Sequence, residues 1–294
     1  DGGGAQAVLT LLSHRVDEAF LERHPSLEIV SNYAVGYNNI DVEAATRRGV
    51  VVTNTPDVLT ETTADLAWAL LMATARRLVD ADAFTRAGKF KGWAPSLYLG
   101  HDIWGKTLGV VGFGRIGQAA ARRAQGFGMK VLYHDPSVEI STLEGGLQVE
   151  PVSLERLLGE SDFVTIHCPL LPATRHLIGA QELTSMKPSA ILINTARGPI
   201  VDEKALVSAL QEGRLAGAGL DVYEREPQIE PGLLELSQVV LAPHIGSGSE
   251  ETRAKMAHMA VDAVIDLLSG KRPRHLVNPE AWEAWEAREA RGSS

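Results

Sequence analysis

Cysteine is nearly absent from this chain: Cys168 is the only one among 294 residues. A single cysteine excludes an intrachain disulfide framework, so a cytoplasmic location is expected. No apolar run reaches the length of a membrane span. The N-terminal sequence DGGGAQAVLT lacks the basic and long apolar regions of a signal peptide. We therefore expect neither a membrane segment nor a secretory signal in this sequence.

Basic residues are also in short supply, with 28 Lys and Arg against 37 Asp and Glu, for a net charge of −9. This balance argues against a nucleic-acid partner, which would require a basic surface. No H-E-x-x-H or paired C-x-x-C spacing occurs, so no metal site is predicted. Hydrophobic residues make up 45% of the chain and charged residues 22%. These proportions predict a soluble globular protein with one large domain or two ordinary ones.

The stretch Gly105–Asp135 is the most informative part of the sequence. An apolar strand runs into the glycine pattern formed by Gly112, Gly114 and Gly117, and a helical segment follows. The first glycine permits a tight turn, the second a close approach to a pyrophosphate, and the third close packing of helix and strand. A second strand ends at Asp135, where a carboxylate binds a ribose hydroxyl in dinucleotide sites. The pattern predicts a dinucleotide site, although a glycine-rich turn with no ligand is the alternative.

Strands alternate with helices along most of the chain, which predicts an α/β fold with parallel sheets. Strands are expected at 7–12, 27–31, 50–53, 107–111, 130–133, 163–168, 190–195, 217–222 and 239–242, and helices at 16–23, 41–48, 60–88, 203–211, 249–268 and in the tail 280–294. The later strands predict a doubly wound sheet that binds the dinucleotide.

The segment 60–104 has a separate character. Its first part has helical spacing, and its second part is irregular and rich in aromatics, among them Phe90, Trp93 and Tyr98. Aromatic side chains on an irregular segment usually pack against another surface. Core packing and a contact with a second subunit are both open.

Polar residues follow four successive strands of the predicted doubly wound sheet. They are His167 and Cys168, then Arg197, then Asp221 and Glu226, then His244. Parallel strands place their carboxyl ends at one edge, where ligands bind. Each residue also has a plain structural interpretation: a surface arginine, a solvated loop acid, a core histidine, a strand-end cap at His167, or a small buried apolar group at Cys168.

Three of these side chains have the chemistry of keto acid reduction. The planar guanidinium of Arg197 suits a carboxylate and can polarise the adjacent carbonyl. Histidine titrates near neutral pH, so His244 suits the role of proton donor. Glu226 suits the role of its partner, because a nearby anion favours the imidazolium.

With these motifs, the chain resembles the D-isomer-specific 2-hydroxyacid dehydrogenases, and most of all their glyoxylate/hydroxypyruvate reductase branch. The matching segments are NYAVGYNNID, LTETTADLAWALL, GVVGFGRIGQA, HCPLLPATRHLI, NTARGPIVDE, GAGLDVYEREP and APHIGSGS. The resemblance implies two Rossmann-like lobes, namely a smaller flavodoxin-like substrate lobe at 1–74 plus 267–294 and an NAD-binding domain at 75–266. It also implies a homodimer, formed here through the 60–104 arm, and it makes Trp93 a candidate for approaching the neighbouring subunit's site.

The resemblance also assigns residues to roles. The catalytic set is Arg197, Glu226 and His244, and the first and last of these also bind substrate, together with Val35, Gly36 and Leu59. Beyond the three glycines, cofactor contacts are implied at Thr63, Arg115, Ile116, Asp135, Cys168, Pro169, Thr174, Thr195, Ala196, Asp221 and Gly246. Asp221 is expected on the nicotinamide carboxamide.

The chain departs from the family pattern in two places. Family members begin with additional strands and helices before the counterpart of AVLTLL, so we expect an N-terminally truncated substrate lobe. Many reductases of this branch carry arginine after the second strand of the nucleotide domain and prefer NADPH, whereas this chain carries Asp135. A carboxylate repels a 2′-phosphate, which predicts NADH.

The expected activity is NAD(H)-dependent reduction of a small 2-keto acid, glyoxylate or hydroxypyruvate. Two alternatives remain at this stage: a D-3-phosphoglycerate dehydrogenase without a regulatory domain, and a non-catalytic NAD(H)-binding sensor or co-regulator.

Overall fold

Strands and helices alternate to build two parallel sheets, which confirms the predicted α/β fold. The structure is a computed structural model that describes residues 4–143 and 145–292. Contacts divide the chain into two units, one formed by the chain up to Leu59 together with the chain from Ser247 onward, and the other by Thr60–Gly246.

The elements of the smaller unit are β1 (Ala7–Thr10), α1 (Glu18–Arg23), β2 (Ile29–Asn32), α2 (Val42–Arg47), β3 (Val51–Thr53), α10 (Glu250–Leu268) and α11 (Pro279–Gly292). The three strands form a parallel sheet in the order β1-β2-β3. Two apolar clusters pack on this sheet, one from the early helices and one from the C-terminal helices with Trp282 and Trp285.

The elements of the larger unit are α3 (Thr60–Ala75), α4 (Leu78–Arg86), β4 (Thr107–Val111), α5 (Arg115–Ala124), β5 (Lys130–His134), β6 (Val149–Pro151), α6 (Leu154–Glu160), β7 (Phe163–Ile166), α7 (Ala180–Ser185), β8 (Ile191–Asn194), α8 (Glu203–Gln211), β9 (Gly217–Leu220), α9 (Pro231–Leu234) and β10 (Val239–Leu241). Its seven strands form a parallel sheet in the order β10-β9-β8-β7-β4-β5-β6.

The strand order of the larger sheet reverses between β4 and β7. The chain leaves β4 toward β5 and β6 and later returns to pair β7 with the other side of β4. In open parallel sheets, ligands bind outside the carboxyl ends of the strands at such a reversal. The glycine pattern after β4 and the Cys168 segment after β7 both lie at this point, which is where a sheet of this kind would bind a nucleotide.

The long helix predicted over 60–88 is wrong in one respect, because two helices occupy this range. Arg77 has a left-handed backbone with φ of 52°, which ends α3 and precedes α4. Few non-glycine residues adopt this conformation. The Arg77 guanidinium bonds Asp80 at 3.0 Å and lies 5.0 Å from the Tyr98 ring centroid, and these contacts hold the break in place.

The contact-based boundaries also differ from the predicted ones. They lie at 59/60 and 246/247, whereas the sequence placed them at 74/75 and 266/267. Helix α3 packs on β8, β9 and β10 of the large sheet and on α5, where Trp68 Nε1 donates to the Ala120 carbonyl at 2.8 Å. Helix α10 packs on the small sheet, where its Ala260 carbonyl accepts from Ser31 Oγ at 2.8 Å. By contacts, α3 therefore belongs to the larger unit and α10 to the smaller one, whereas the predicted boundaries assigned them the other way round.

Within residues 4–143 and 145–292, no helix is both long and apolar enough to cross a membrane.

Candidate active site

The turn after β4 has the form that a dinucleotide requires. Gly112 adopts φ of 89°, and a Cβ there would lie 2.4 Å from the Cys168 backbone nitrogen. A Cβ on Gly117 would lie 2.2 Å from the Gly112 carbonyl oxygen, so both positions need glycine. A Cβ on Gly114 would meet no described atom within 4 Å. The open position at Gly114 fits the approach of a pyrophosphate to the backbone.

Helix α5 begins directly after Gly114, with Arg115 and Ile116 as its first residues. The first N–H groups of a helix have no partner within the helix and carry a partial positive charge. The ten-residue helix thus directs donors toward the glycine turn. This arrangement suits a phosphate anion.

Asp135 lies immediately after β5 and faces the same turn. Its Oδ2 accepts the Phe113 N–H at 2.7 Å, and its Oδ1 accepts the Ser137 N–H at 2.9 Å. Burial raises the pKa of Asp135, but these donors outweigh it and hold the pKa below the usual value. The carboxylate is therefore ionised at neutral pH, in the state that accepts ribose hydroxyls.

The segment after β7 packs against the glycine turn. Thr174 Oγ1 donates to the Pro169 carbonyl at 2.6 Å and so folds the loop over 169–174. Burial raises the pKa of the Cys168 thiol to about 11, so the thiol stays protonated. His167 directly follows β7 and is hydrogen-bonded to Thr165 of that strand at 2.9 Å, in agreement with its interpretation as a strand-end cap.

Asp221 follows β9 and organises the turn that carries His244. Its Oδ1 accepts the Ile245 N–H at 2.7 Å, and Gly246 also donates to this carboxylate. Burial is the main influence on its pKa, which is raised. Among the described residues, six side-chain atoms are buried without a hydrogen-bond partner, and two of them, Oδ2 of Asp221 and Oγ1 of Thr195, belong to predicted cofactor contacts. Buried polar atoms nearly always have partners, so these two atoms fit a carboxamide group of a bound cofactor.

Thr63 of α3 lies beside the same turn. A methyl group on Gly246 would lie 3.3 Å from Asp221 Oδ2 and 3.4 Å from Thr63 Cγ2. The structure thus brings together three of the residues implied as cofactor contacts.

Glu226 and His244 form the pair that the sequence predicted. His244 Nδ1 lies 2.8 Å from Glu226 Oε2, and the His244 side chain is 31% exposed. A carboxylate only accepts, so Nδ1 carries the hydrogen and Nε2 is left to exchange a proton with a ligand. Burial raises the pKa of Glu226, but the hydrogen bonds from His244 and from the Tyr223 N–H lower it by more than burial raises it. The net pKa therefore lies below the usual value.

Arg197 follows β8 on a turn braced by Asn194. Asn194 Nδ2 donates to the Arg197 carbonyl at 3.0 Å, and its Oδ1 accepts the Ala196 N–H at 3.0 Å. Arg197 Nη1 donates to the Ala196 carbonyl at 2.7 Å. Burial lowers the pKa of Arg197, while the negative charge of Glu226 raises it. Charge thus couples two of the three predicted catalytic residues, and the rest of the guanidinium fork can take a carboxylate.

Sequence reasoning missed two residues that hold this arrangement. Asn194 is one, and Tyr223 is the other: its hydroxyl donates to the Ala242 carbonyl at 2.8 Å, two residues before His244. Asparagine before a turn often bonds the backbone two residues on, which was a usable signal at Asn194. No local pattern could pair Tyr223 with Ala242.

The predicted substrate residues Val35, Gly36 and Leu59 belong to the smaller unit, whereas Arg197 and His244 belong to the larger one. The Val35 carbonyl accepts from Asn54 Nδ2 and the Gly36 carbonyl from Asn32 Nδ2, each at 2.8 Å. These bonds fix the loop backbone. Leu59 is buried and immediately precedes α3. Their assignment to substrate binding stays a prediction.

The sequence profile of the D-isomer specific 2-hydroxyacid dehydrogenase NAD binding domain matches residues 68–246. The chain belongs to this family. This membership confirms the resemblance seen in the sequence. The chain is therefore a D-2-hydroxyacid dehydrogenase, an oxidoreductase with an NAD-binding domain.

Individual members of the family cover nearly all of this dehydrogenase. A glyoxylate reductase of Korarchaeum cryptofilum is 56% identical over 277 residues, which are 93% of this chain and 83% of that protein. The TT0316 protein of Thermus thermophilus is 46% identical with a TM-score of 0.89, covering 94% of this chain and 86% of that one. An NADPH-dependent glyoxylate/hydroxypyruvate reductase of Sinorhizobium meliloti, in complex with NADP and malonate, is 38% identical with a TM-score of 0.84, covering 94% and 85%.

Proposed function

We propose that this dehydrogenase reduces glyoxylate or hydroxypyruvate to the corresponding 2-hydroxy acid with NADH. The observation that carries the proposal is the 2.8 Å bond from His244 Nδ1 to Glu226 Oε2, at the same sheet edge as the glycine turn. This pair supplies a proton donor next to a nucleotide site. The glyoxylate reductases among its relatives support the choice of substrate.

Each group at the sheet edge has one task in this reaction. When bound, the nicotinamide supplies the hydride. Arg197 binds the substrate carboxylate and polarises the carbonyl, and His244 Nε2 gives its proton to the oxygen that gains negative charge. Glu226 keeps the imidazole oriented through its contact with Nδ1.

Initial rates with a panel of keto acids and both cofactors test this function. We expect the highest kcat/KM for glyoxylate or hydroxypyruvate with NADH. A higher value for phosphohydroxypyruvate than for hydroxypyruvate would assign the chain to 3-phosphoglycerate oxidation. NADH binding in a calorimeter without turnover of any keto acid would favour a sensor instead and would contradict the proposal.

Glu226→Gln is expected to move the alkaline limb of the pH–rate profile toward lower pH by about one unit or more. Glu226 has a pKa below the usual 4.5, so its charge is constant across the working range. Glutamine keeps an acceptor for the ring but removes that charge, and a nearby opposite charge favours the charged form of an ionisable group. Glu212→Gln, at a surface glutamate paired with Arg214 at 2.9 Å, is the matched control and should leave the profile in place. An unmoved profile for Glu226→Gln would separate Glu226 from the proton donor.

Asp135→Asn is expected to narrow the preference for NADH over NADPH by about tenfold or more. A unit-charge pair at 4 Å interacts by about 4 kcal/mol at an effective dielectric of 20, and solvent screening reduces this repulsion of the 2′-phosphate. The measurement is the ratio of kcat/KM values for the two cofactors. Asp162→Asn is the control, because Asp162 accepts the Thr107 N–H at the opposite end of β4. An unaltered ratio in Asp135→Asn would mean that another group discriminates the ribose.

A homodimer through the 60–104 arm is also proposed. Helix α4 has no buried residue in the single chain, and Trp93 and Leu99 are 85% and 68% exposed. Contiguous apolar exposure of this kind marks interaction surfaces. Sedimentation equilibrium should give twice the chain mass of 31.6 kDa. Leu99→Glu should shift the mass toward the monomer, whereas Leu234→Glu, at a leucine that is 62% exposed on α9, should not. A monomeric wild type would contradict this proposal.

The cytoplasmic location expected from the single cysteine stays a prediction.

A further inference from the structure

Glu203 is a buried carboxylate to which the reaction described above gives no task. It occupies the first position of α8, directly after the N-cap Asp202, and only 5% of the residue is exposed. Glutamate is almost never this buried unless it has a partner. Its partner is not another side chain: Glu203 Oε1 accepts the backbone N–H of Glu224 at 2.7 Å.

The surroundings of Glu203 make this bond costly to maintain. Burial raises the pKa of Glu203, the Glu224 N–H lowers it, and the charges of Glu224 and Glu230 raise it again. The net pKa lies above the usual value. The position at the start of α8 offsets part of this cost, because a helix N-terminus favours negative charge. An apolar side chain could anchor a loop at lower cost. A carboxylate at this position therefore indicates that the backbone N–H of Glu224 needs to be held in place.

The bonded N–H belongs to the turn that carries the catalytic glutamate. Within this turn the Tyr223 N–H donates to Glu226 Oε1 at 3.0 Å, and Glu226 Oε2 receives His244 Nδ1. The bond to Glu203 therefore fixes the Tyr223–Glu224 peptide. This peptide lies within the turn that makes both hydrogen bonds of Glu226, the one from the Tyr223 N–H and the one from His244. A shift of this peptide would change the distance from Glu226 to the imidazole.

The same turn also packs against the arginine segment. A Cβ on Gly198 would lie 1.9 Å from the Tyr223 carbonyl carbon and 2.4 Å from the Glu224 nitrogen. The residue after Arg197 is thus packed against the peptide that Glu203 holds. The hydrogen bond to Glu203 and the close packing against Gly198 together leave this peptide little room to move.

We propose that Glu203 is a positioning residue that holds the 223–226 turn so that Glu226 meets His244. The inference rests on the proposed function for its kinetic consequence, but its structural part concerns the turn alone. It assigns a role to the VDE segment after the arginine turn that the nucleotide site and the catalytic set do not account for.

Three variants of Glu203 separate positioning from a merely structural role. Glu203→Gln keeps an oxygen that can accept the Glu224 N–H, and its rates should stay close to those of the wild type. Glu203→Asp is one methylene short, and Glu203→Ala has no acceptor. For Glu203→Ala we expect kcat for glyoxylate to fall by about 10- to 100-fold, since misplacement of a catalytic group by about 1 Å has effects of this size. KM for glyoxylate should change much less, because Arg197 keeps its own bonds.

The pH–rate profile carries the distinguishing signal. Glu203→Ala should move the alkaline limb in the same direction as Glu226→Gln, and the double variant should move it no further than Glu226→Gln alone. Asp202→Ala is the matched control: Asp202 caps α8 by accepting the Lys204 and Ala205 N–H groups and does not bond the 223–226 turn. It should lower Tm without moving the profile. A profile that stays in place in Glu203→Ala, or moves equally in Asp202→Ala, would overturn the proposal.

Amide hydrogen exchange of the full chain, followed by mass spectrometry, tests the same idea without turnover. Peptides covering 223–226 should exchange faster in Glu203→Ala than in wild type, Glu203→Gln or Asp202→Ala, at a temperature where circular dichroism shows every variant folded. If Glu203→Ala does not fold, Glu203→Asp replaces it and should show the same direction of change. Faster exchange in Glu203→Ala, together with no keto acid turnover by the wild type, would contradict the proposed function but would still support the positioning of the turn by Glu203. Unchanged exchange in both shortened variants would overturn the positioning role itself.

Discussion

His244→Asn is expected to lower kcat for glyoxylate reduction by about 10²- to 10⁴-fold, the range typical for loss of a positioned general acid. Asparagine can still contact Glu226, but it has no proton to give at neutral pH. Cofactor affinity should change little, because the Asp221 carboxylate binds the backbone of this turn through Ile245 and Gly246, not the imidazole. Stopped-flow measurement of NADH oxidation at saturating glyoxylate, with NADH affinity by calorimetry, separates the two effects.

His176→Asn is the matched control for His244. His176 Nε2 lies 2.9 Å from Glu224 Oε1, so it is another histidine paired with a glutamate in the same unit. Its loss should leave kcat within a few-fold of the wild type, as surface substitutions usually do, because His176 contacts the Glu224 side chain and not the Glu224 N–H that Glu203 holds. Equal losses in both variants would mean that histidine–glutamate pairs matter here for folding and not for proton transfer.

Arg197→Ala is expected to lower kcat/KM for glyoxylate by at least 10- to 150-fold. One charge-assisted hydrogen bond contributes roughly 1.5–3 kcal/mol, which corresponds to this range. The guanidinium also polarises the carbonyl, so kcat should fall together with the loss of binding. Arg197→Lys should recover part of the activity, because it restores the charge but not the planar fork.

The control for Arg197 is Arg214→Ala, which removes a surface arginine paired with Glu212. Arg214→Ala should leave kcat/KM for glyoxylate unchanged. NADH affinity should be the same in the wild type, Arg197→Ala and Arg214→Ala. If Arg197→Ala retained wild-type kcat/KM, the carboxylate would have to bind elsewhere, and the assignment of Arg197 would be wrong.

Much of the fold could be predicted from the sequence, because short apolar strands alternate with helices that have their own start and stop signals. Glu203–Gln211 forms a helix with the predicted bounds, since Asp202 caps it and Gly213 ends it. The glycine pattern and Asp135 could be placed because each position answers a local steric or electrostatic demand. The break between α3 and α4 at Arg77 could not be predicted from the local sequence, because it is stabilised by contacts of Arg77 with Asp80 and Tyr98.

The candidate site divides along the same line. Arg197, Glu226 and His244 could be proposed from their chemistry and their positions after successive strands, and the contact between the last two is present. Of the residues that hold them, Asn194 had a local signal, but Tyr223 and Glu203 had none. Tyr223 bonds Ala242 across 19 residues and Glu203 bonds Glu224 across 21, distances at which no periodicity or turn pattern gives a signal. The contact-based boundaries differ from the predicted ones because helices α3 and α10 each pack on a sheet distant in sequence.

Transfer of deuterium from NADH labelled at C4 of the nicotinamide to C2 of the product tests the central claim most directly. The wild-type protein is incubated with glyoxylate and each of the two C4-deuterated epimers in turn, and the glycolate is analysed by mass spectrometry. The account predicts glycolate with one deuterium on carbon from one epimer and none from the other, with its rate of formation reduced by about 100-fold or more in His244→Asn. Glycolate without deuterium from both epimers, or no glycolate from the folded wild-type protein, would contradict it.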